Sequence, residues 1–92
     1  MDSNTGIGIE AIAYSLGKDT VTNEQLQDEN PHWDMSKTLE RTGVVSRPIA
    51  GRGVTALDLG YEAAVELLKK SKLHASDIDA LIFCTQTPDH LL

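Results

Sequence analysis

The sequence contains a single cysteine, Cys84, so an intramolecular disulfide is excluded, which fits a reducing compartment. Basic residues are also scarce, since eight Lys and Arg stand against 14 Asp and Glu and give a net charge of −6 at pH 7. These few basic side chains are scattered or lie near carboxylates, whereas a nucleic-acid-binding surface gathers them together. The composition therefore argues against a DNA or RNA partner.

Long hydrophobic runs are absent as well. No apolar run approaches the ~20 residues that a membrane-spanning helix requires. The first residues, Met1 to Thr5, lack the basic flank and the apolar centre of a secretory signal. We therefore expect no membrane partner and a cytoplasmic location.

The chain is too short for a large core of its own. Its 92 residues allow at most one domain, and a domain of this size buries only roughly 60–65% of its extended-chain surface. With 40% hydrophobic and 24% charged residues, the composition is typical of a globular protein rather than a disordered one. The chain is expected to fold by itself or as part of a larger folded protein.

Two apolar segments have the pattern of β-strands. Residues 7–14 carry β-branched side chains at alternate positions, and a turn is expected after them at residues 15–19. Residues 80–84 are uncharged and apolar, which is typical of a strand buried on both faces of a parallel sheet. Residues 44–50 are expected to be extended, because they are β-branched and contain a proline. Since the sequence ends soon after the last strand, we expect an α/β unit that is interrupted before the groups that act beyond the strand ends.

Capping residues predict two short helices. Thr22 and Gln25 have the spacing of a capping box, which begins a helix that ends before the next proline. The second helix is expected over residues 35–42, between a cap at Asp34 and a left-handed stop at Gly43.

A third, longer helix is predicted after residue 55. Thr55 and Asp58 form another capping pair, and lysines at residues 69, 70 and 72 suit the negative end of the helix dipole. The apolar residues that repeat at helical spacing are Leu57, Tyr61, Ala64, Val65 and Leu68. A turn over residues 77–79 then leads into the last predicted strand.

No group of residues forms an evident catalytic or metal site. Cys84 could be a nucleophile at a strand end, but we favour a packed strand residue, because cysteine is among the residue types most often buried and nothing nearby in sequence would activate the thiol. Asp77 and Asp79 are expected to accept hydrogen bonds from backbone amides rather than to act as an acid and base pair. Metal-ligand spacing is lacking among the histidines, which are His32, His74 and His90.

The residues with a potential ligand role are an aromatic ring and three arginines. Trp33 precedes the second helix, where its ring could stack on a base or lie at the edge of the core. Arg41 could neutralise the end of that helix or bind a phosphate. Together with Arg47 and Arg52 it forms a local positive focus, which suggests a phosphorylated ligand. The loop over residues 51–53, an arginine between two glycines, could bind an anion, although such loops more often only connect two elements.

Several of these segments carry a family resemblance. Residues 42–50, Thr-Gly-Val-Val-Ser-Arg-Pro-Ile-Ala, resemble the Thr-Gly-Ile-x-x-Arg-x-Ile-Ala stretch of the 3-oxoacyl-(acyl-carrier-protein) synthase III family. Residues 21–26 resemble the family's Val-x-Thr-Asn-x-x-Leu segment. Residues 7–14, 77–82 and 85–89 resemble its first strand, its second strand and the loop that follows.

The resemblance implies an α/β fold, namely the N-terminal portion of a thiolase-like fold with an incomplete sheet and flanking helices. It implies that residues 1–92 are one part of a condensing-enzyme domain, truncated before the catalytic residues. In the family, a Cys nucleophile takes an acyl group from acyl-CoA, and a His and an Asn activate malonyl-carrier protein for decarboxylative condensation in fatty-acid or related biosynthesis. All three would lie downstream of Leu92, so Cys84 is not the nucleophile and the chain alone is expected to be inactive.

The resemblance also implies a cofactor-binding site for coenzyme A, whose thioester is a substrate rather than a tightly bound cofactor. Arg41 matches the family's arginine before the Thr-Gly motif, which holds the nucleotide end of CoA. Trp33 matches the family's tryptophan, although it stands eight residues before Arg41, a wider spacing than in the familiar bacterial members. The implied partners are acyl-CoA, acyl carrier protein and further copies of the enzyme. The alternative is a small acidic protein-interaction module with no enzymatic activity.

Overall fold

The computed structural model describes residues 6–90, which divide into two compact units. The hairpin unit is Leu16–Thr55, and the long-helix unit combines residues 6–15 with residues 56–90. The elements of the described chain are, in order, β1 (Asp19–Thr22), α1 (Asn23–Glu29), α2 (Thr38–Thr42), β2 (Ser46–Ile49), α3 (Ala56–Ser71) and a 3-10 helix (Ala75–Asp77).

The hairpin unit is built on an antiparallel pair of strands, β1 and β2. Asp19 pairs with Ile49 at one end of the ladder, and Thr22 pairs with Ser46 at the other. The extended stretch expected at residues 44–50 is confirmed in β2. The turn expected at residues 15–19 is wrong at its last residue, because Asp19 already belongs to β1. The sequence Asp-Thr-Val-Thr lacks an apolar alternation, so its pattern gave no signal of a strand.

Gly17 lies directly against β2. A Cβ atom on Gly17 would overlap the backbone carbonyl group of Ile49. We expect Gly17→Ala to lower the free energy of unfolding by about 1–3 kcal/mol, the usual cost of forced overpacking. Gly8→Ala is the control, because nothing lies within 4 Å of a Cβ placed there. Chemical denaturation followed by Trp33 fluorescence measures the difference, and equal midpoints for the two variants would contradict the close approach.

The predicted capping box at the start of α1 is confirmed. Thr22 Oγ1 accepts a hydrogen bond from the Gln25 amide at 3.1 Å, and Gln25 Oε1 accepts one from the Thr22 amide at 2.8 Å. The helix ends at Glu29, as the following proline predicted. Asn30 closes this end by donating from its side chain to the Leu26 carbonyl at 3.0 Å.

Helix α2 begins later than predicted. Its first residue is Thr38 rather than Met35, and no side chain caps it. Asp34 instead forms a local turn, because its Oδ1 atom accepts from the Ser36 amide at 3.0 Å and from the Ser36 hydroxyl at 2.6 Å. The predicted stop is confirmed, since Gly43 ends the helix in the left-handed conformation with φ of 72°.

The long-helix unit is organised around α3, which confirms the third predicted helix. It begins at Ala56 and carries Lys69 and Lys70 in its last turn. The other segment of this unit, residues 6–15, is hydrogen-bonded to this helix. Lys70 Nζ donates to the Ile12 carbonyl at 3.0 Å, and Ser15 Oγ donates to Glu62 Oε1 at 3.2 Å.

The two strands predicted at residues 7–14 and 80–84 are wrong as paired strands. Neither belongs to a hydrogen-bonded ladder in the described part of the chain. Residues 10–15 still alternate between exposed and half-buried positions, so the period of a strand is present without a partner strand. Ile82 is 95% exposed as a result, and none of the described residues is fully buried. Many apolar side chains of this unit are therefore exposed, although several on α3 are half-buried.

Candidate functional site

The two candidate ligand-binding residues, Trp33 and Arg41, both lie in the hairpin unit. Trp33 occupies the turn after α1, and its side chain is 53% exposed. Its backbone is held on both sides, because its amide donates to the Asn30 carbonyl at 2.9 Å and its carbonyl accepts from Gln27 Nε2 at 2.6 Å. The ring is thus about half-exposed on a hydrogen-bonded backbone, which is compatible with stacking on a planar ligand.

Arg41 lies in the last turn of α2 and is exposed. The main chain around it is well fixed: its amide donates to the Lys37 carbonyl at 2.9 Å, and the Gly43 amide donates to the Leu39 carbonyl at 2.7 Å. Thr42 Oγ1 donates to the Thr38 carbonyl at 2.6 Å and accepts from the Val44 amide at 3.1 Å. Arg41 is therefore an exposed residue on a turn whose backbone groups are hydrogen-bonded.

Arg47 does not contribute to the positive focus that the sequence predicted. It is half-buried on β2, and its guanidinium donates to the Val21 carbonyl at 3.0 Å and to Asn23 Oδ1. Charge-assisted bonds of this kind tie the hairpin to the start of α1. Arg52, by contrast, is exposed in the loop where the Val54 amide donates to the Gly51 carbonyl at 3.0 Å. Arg41 and Arg52 are thus the exposed members of the three arginines.

Two amide side chains on α1 hold main-chain segments of the hairpin unit, and they were not singled out from the sequence. Asn23 donates from Nδ2 to the Val44 carbonyl at 2.9 Å, and its backbone amide donates to the Val45 carbonyl at 3.2 Å. Gln27 holds the turn that carries Trp33. The available signal was the i, i+4 spacing of Asn23 and Gln27, which places both residues on one face of the helix.

Cys84 is exposed and free, which contradicts the prediction of a packed strand residue. The reason is the same as for the neighbouring apolar residues, since no strand pairs with residues 80–84 in the described part of the chain. Asp77 does satisfy a backbone amide, as predicted, because its Oδ2 atom accepts from the His74 amide at 2.9 Å. Between residues 6 and 90, no three His, Cys, Asp or Glu side chains are grouped as metal ligands. Over the same residues, no helix has the length and apolar character to span a membrane.

Several known proteins that resemble this chain carry the name of one enzyme. No family model matches the chain. The beta-ketoacyl-(acyl-carrier-protein) synthase III of Allorhizobium ampelinum is 34% identical over 85 residues, which cover 89% of this chain and 25% of that protein. The enzyme of the same name from Solibacter usitatus is 44% identical over 68 residues, or 74% of this chain and 19% of that protein. The enzyme from Streptococcus gordonii is 37% identical over 87 residues, or 91% and 25%.

A solved structure agrees with these relatives. The crystal structure of a 3-oxoacyl-(acyl-carrier-protein) synthase III superposes with a TM-score of 0.76 at 40% identity, over 91% of this chain and 25% of that one. The fold is therefore α/β, and it corresponds to the N-terminal portion of a thiolase-like fold. The chain belongs to the 3-oxoacyl-(acyl-carrier-protein) synthase III family, whose members are also called beta-ketoacyl synthases. It spans about a quarter of the length of the relatives it matches.

Proposed function

We propose that this chain forms the part of a synthase III enzyme that holds the nucleotide end of acyl-CoA. The enzyme would condense acyl-CoA with malonyl-carrier protein in fatty-acid or related biosynthesis. The relatives' names support the reaction class, and the observation that carries the binding role is that Trp33 and Arg41 are both exposed on the hairpin unit. In this proposal CoA thioester is a substrate, no cofactor is tightly bound, and the partners are an acyl carrier protein and another copy of the enzyme in the cytoplasm.

The proposed chemistry divides the nucleotide between the two side chains. The Arg41 guanidinium offers several donors in one plane, which suits phosphate oxygens better than an ammonium group does. The Trp33 ring offers an apolar face on which an adenine base can stack. Neither residue transfers a proton or forms a covalent bond to the substrate, so both contribute to binding and orientation rather than to the chemical step.

The proposal is tested by titrating the chain with CoA in a calorimeter. We expect Arg41→Ala to raise the dissociation constant about tenfold, because a hydrogen bond to a charged group contributes about 1.5 kcal/mol or more. Arg52→Ala is the matched control, since it removes the same charge from another exposed position of the unit. Equal weakening by both variants would show that CoA responds only to overall charge, and it would remove Arg41 from the site.

A small acidic interaction module without enzymatic activity is the second candidate. It is favoured by the apolar side chains that remain exposed in the described chain, among them Ile82 at 95%, and by the net charge of −6. Exposed apolar surface of this extent marks an interaction site in many proteins. The same calorimetric titration separates the candidates, because such a module would bind no CoA.

A further inference from the structure

The side chain of Gln27 makes an unusual number of hydrogen bonds to one turn. Its Nε2 atom donates to the Trp33 carbonyl at 2.6 Å and to the Asn30 carbonyl at 3.3 Å. Its Oε1 atom accepts from the Met35 amide at 2.9 Å. One half-buried amide group therefore binds the main chain before, at and after Trp33.

An amide side chain matches the chemistry of this contact. Gln27 supplies a donor to the carbonyl groups of Asn30 and Trp33 and an acceptor to the Met35 amide. Asn and Gln carry two N–H donors and a separate acceptor oxygen in one neutral group, and Gln has the greater reach. A carboxylate at this position would face the two carbonyl oxygens with no proton to donate.

Further hydrogen bonds that do not involve Gln27 stabilise the same turn. The Trp33 amide donates to the Asn30 carbonyl at 2.9 Å. Asp34 accepts from the amide and the hydroxyl of Ser36, and these bonds lower the pKa of Asp34 below its ordinary value. Trp33 is thus the exposed ring of a turn that side chains of its neighbours hold at several points.

We propose that Gln27 is a positioning residue for nucleotide binding, which fixes the main chain at Trp33 so that the indole ring is ordered before an adenine base stacks on it. The inference rests on the proposed function, since it assigns Trp33 a nucleotide partner. Its physical basis is preorganisation: a ring that is already ordered loses less conformational entropy when the ligand binds. Gln27 itself does not touch the nucleotide in this account.

The test replaces Gln27 with Met in the complete 92-residue chain. Methionine keeps the length of the side chain and a helix propensity close to that of glutamine, but it has neither the donor nor the acceptor. Glu29→Met is the matched control, because Glu29 is an exposed residue of the same helix. Far-ultraviolet circular dichroism verifies that both variants keep their helices.

Two readouts are compared, both based on the chain's only tryptophan. Acrylamide quenching of Trp33 fluorescence without ligand measures the order of the turn, and the dissociation constant for CoA measures its consequence. We expect Gln27→Met to increase quenching and to weaken CoA binding about fivefold, while Glu29→Met changes neither. The fivefold effect corresponds to about one hydrogen bond.

The outcomes separate this inference from the function on which it rests. Unchanged quenching in Gln27→Met overturns the positioning role, and so does increased quenching with an unchanged dissociation constant for CoA. If Gln27→Met loses its helices, Gln27→Glu is measured instead, since it retains the acceptor for the Met35 amide and loses both donated bonds. If the unaltered chain binds no CoA, the proposed function itself fails, which is seen before any variant is made.

Discussion

Incubated with acyl-CoA and malonyl-carrier protein, the chain alone is expected to yield no 3-oxoacyl product above background. Acyl transfer requires a nucleophile activated by a base and donors that stabilise the developing oxyanion. The only thiol, Cys84, is exposed, and among residues 6–90 it makes no hydrogen bond to a histidine. Removing even one part of such a constellation costs orders of magnitude in rate, so the expected loss is complete.

The measurement is product formation followed by mass spectrometry, with Cys84→Ser as the control. Both proteins are expected to give the same background signal. Product that depends on the Cys84 thiol would contradict this account and would make Cys84 catalytic. Product that survives Cys84→Ser would come from a contaminating synthase, and repeated purification would remove it.

The second large effect concerns association. At tens of micromolar, the chain is expected to form oligomers or to bind apolar dyes, because the side chains of its unpaired segments face solvent. Leu81 is 79% exposed and Ile82 is 95% exposed, whereas burying one such side chain contributes about 1.5–3 kcal/mol. An uncovered extended segment also offers backbone groups that another chain can pair with.

Ile82→Lys should shift the chain strongly towards monomer in analytical ultracentrifugation. The substitution costs the monomer little, since the side chain is already in solvent. Val45→Lys in the hairpin unit is the control, because it introduces the same charge at a residue that is 60% exposed. A compact monomer with cooperative unfolding and no dye binding in the unaltered chain would contradict the prediction and favour a self-sufficient module.

Local signals in the sequence predicted the helices well. The capping box of Thr22 and Gln25 and the left-handed stop at Gly43 depend on a few neighbouring residues, so a single sequence contains the information needed to find them. The failure at Asp34 was also local in cause. A cap and a turn use the same carboxylate oxygen, and here the nearer donors, both on Ser36, take it.

The strands were harder to predict because a strand depends on a partner. The alternation in residues 7–14 indicates a face to be covered, but it does not say which segment covers it. The observed ladder instead joins Asp19–Thr22 to Ser46–Ile49, and one of these strands has no apolar pattern. Long-range pairing of this kind cannot be found from the periodicity of either strand alone.

The sequence draws attention to the two exposed candidate residues but not to the side chains that hold the main chain near them. Trp33 and Arg41 stand out in the sequence because a lone aromatic ring and an arginine before a Thr-Gly pair are distinctive. Asn23 and Gln27 do not, because an amide side chain on a helix is common and its partners lie on other segments. Arg47 was misjudged for the same reason, since its carbonyl partner Val21 lies on the opposite strand.

The measurement that tests the central claim most directly is the indole N–H resonance of Trp33 during a titration with the two halves of CoA. The account predicts a saturable shift of that resonance with adenosine 3′,5′-bisphosphate, no shift with pantetheine, and a dissociation constant raised about tenfold by Arg41→Ala. A resonance that does not move with the nucleotide, or that moves with pantetheine alone, would contradict the claim that this chain holds the nucleotide end of CoA.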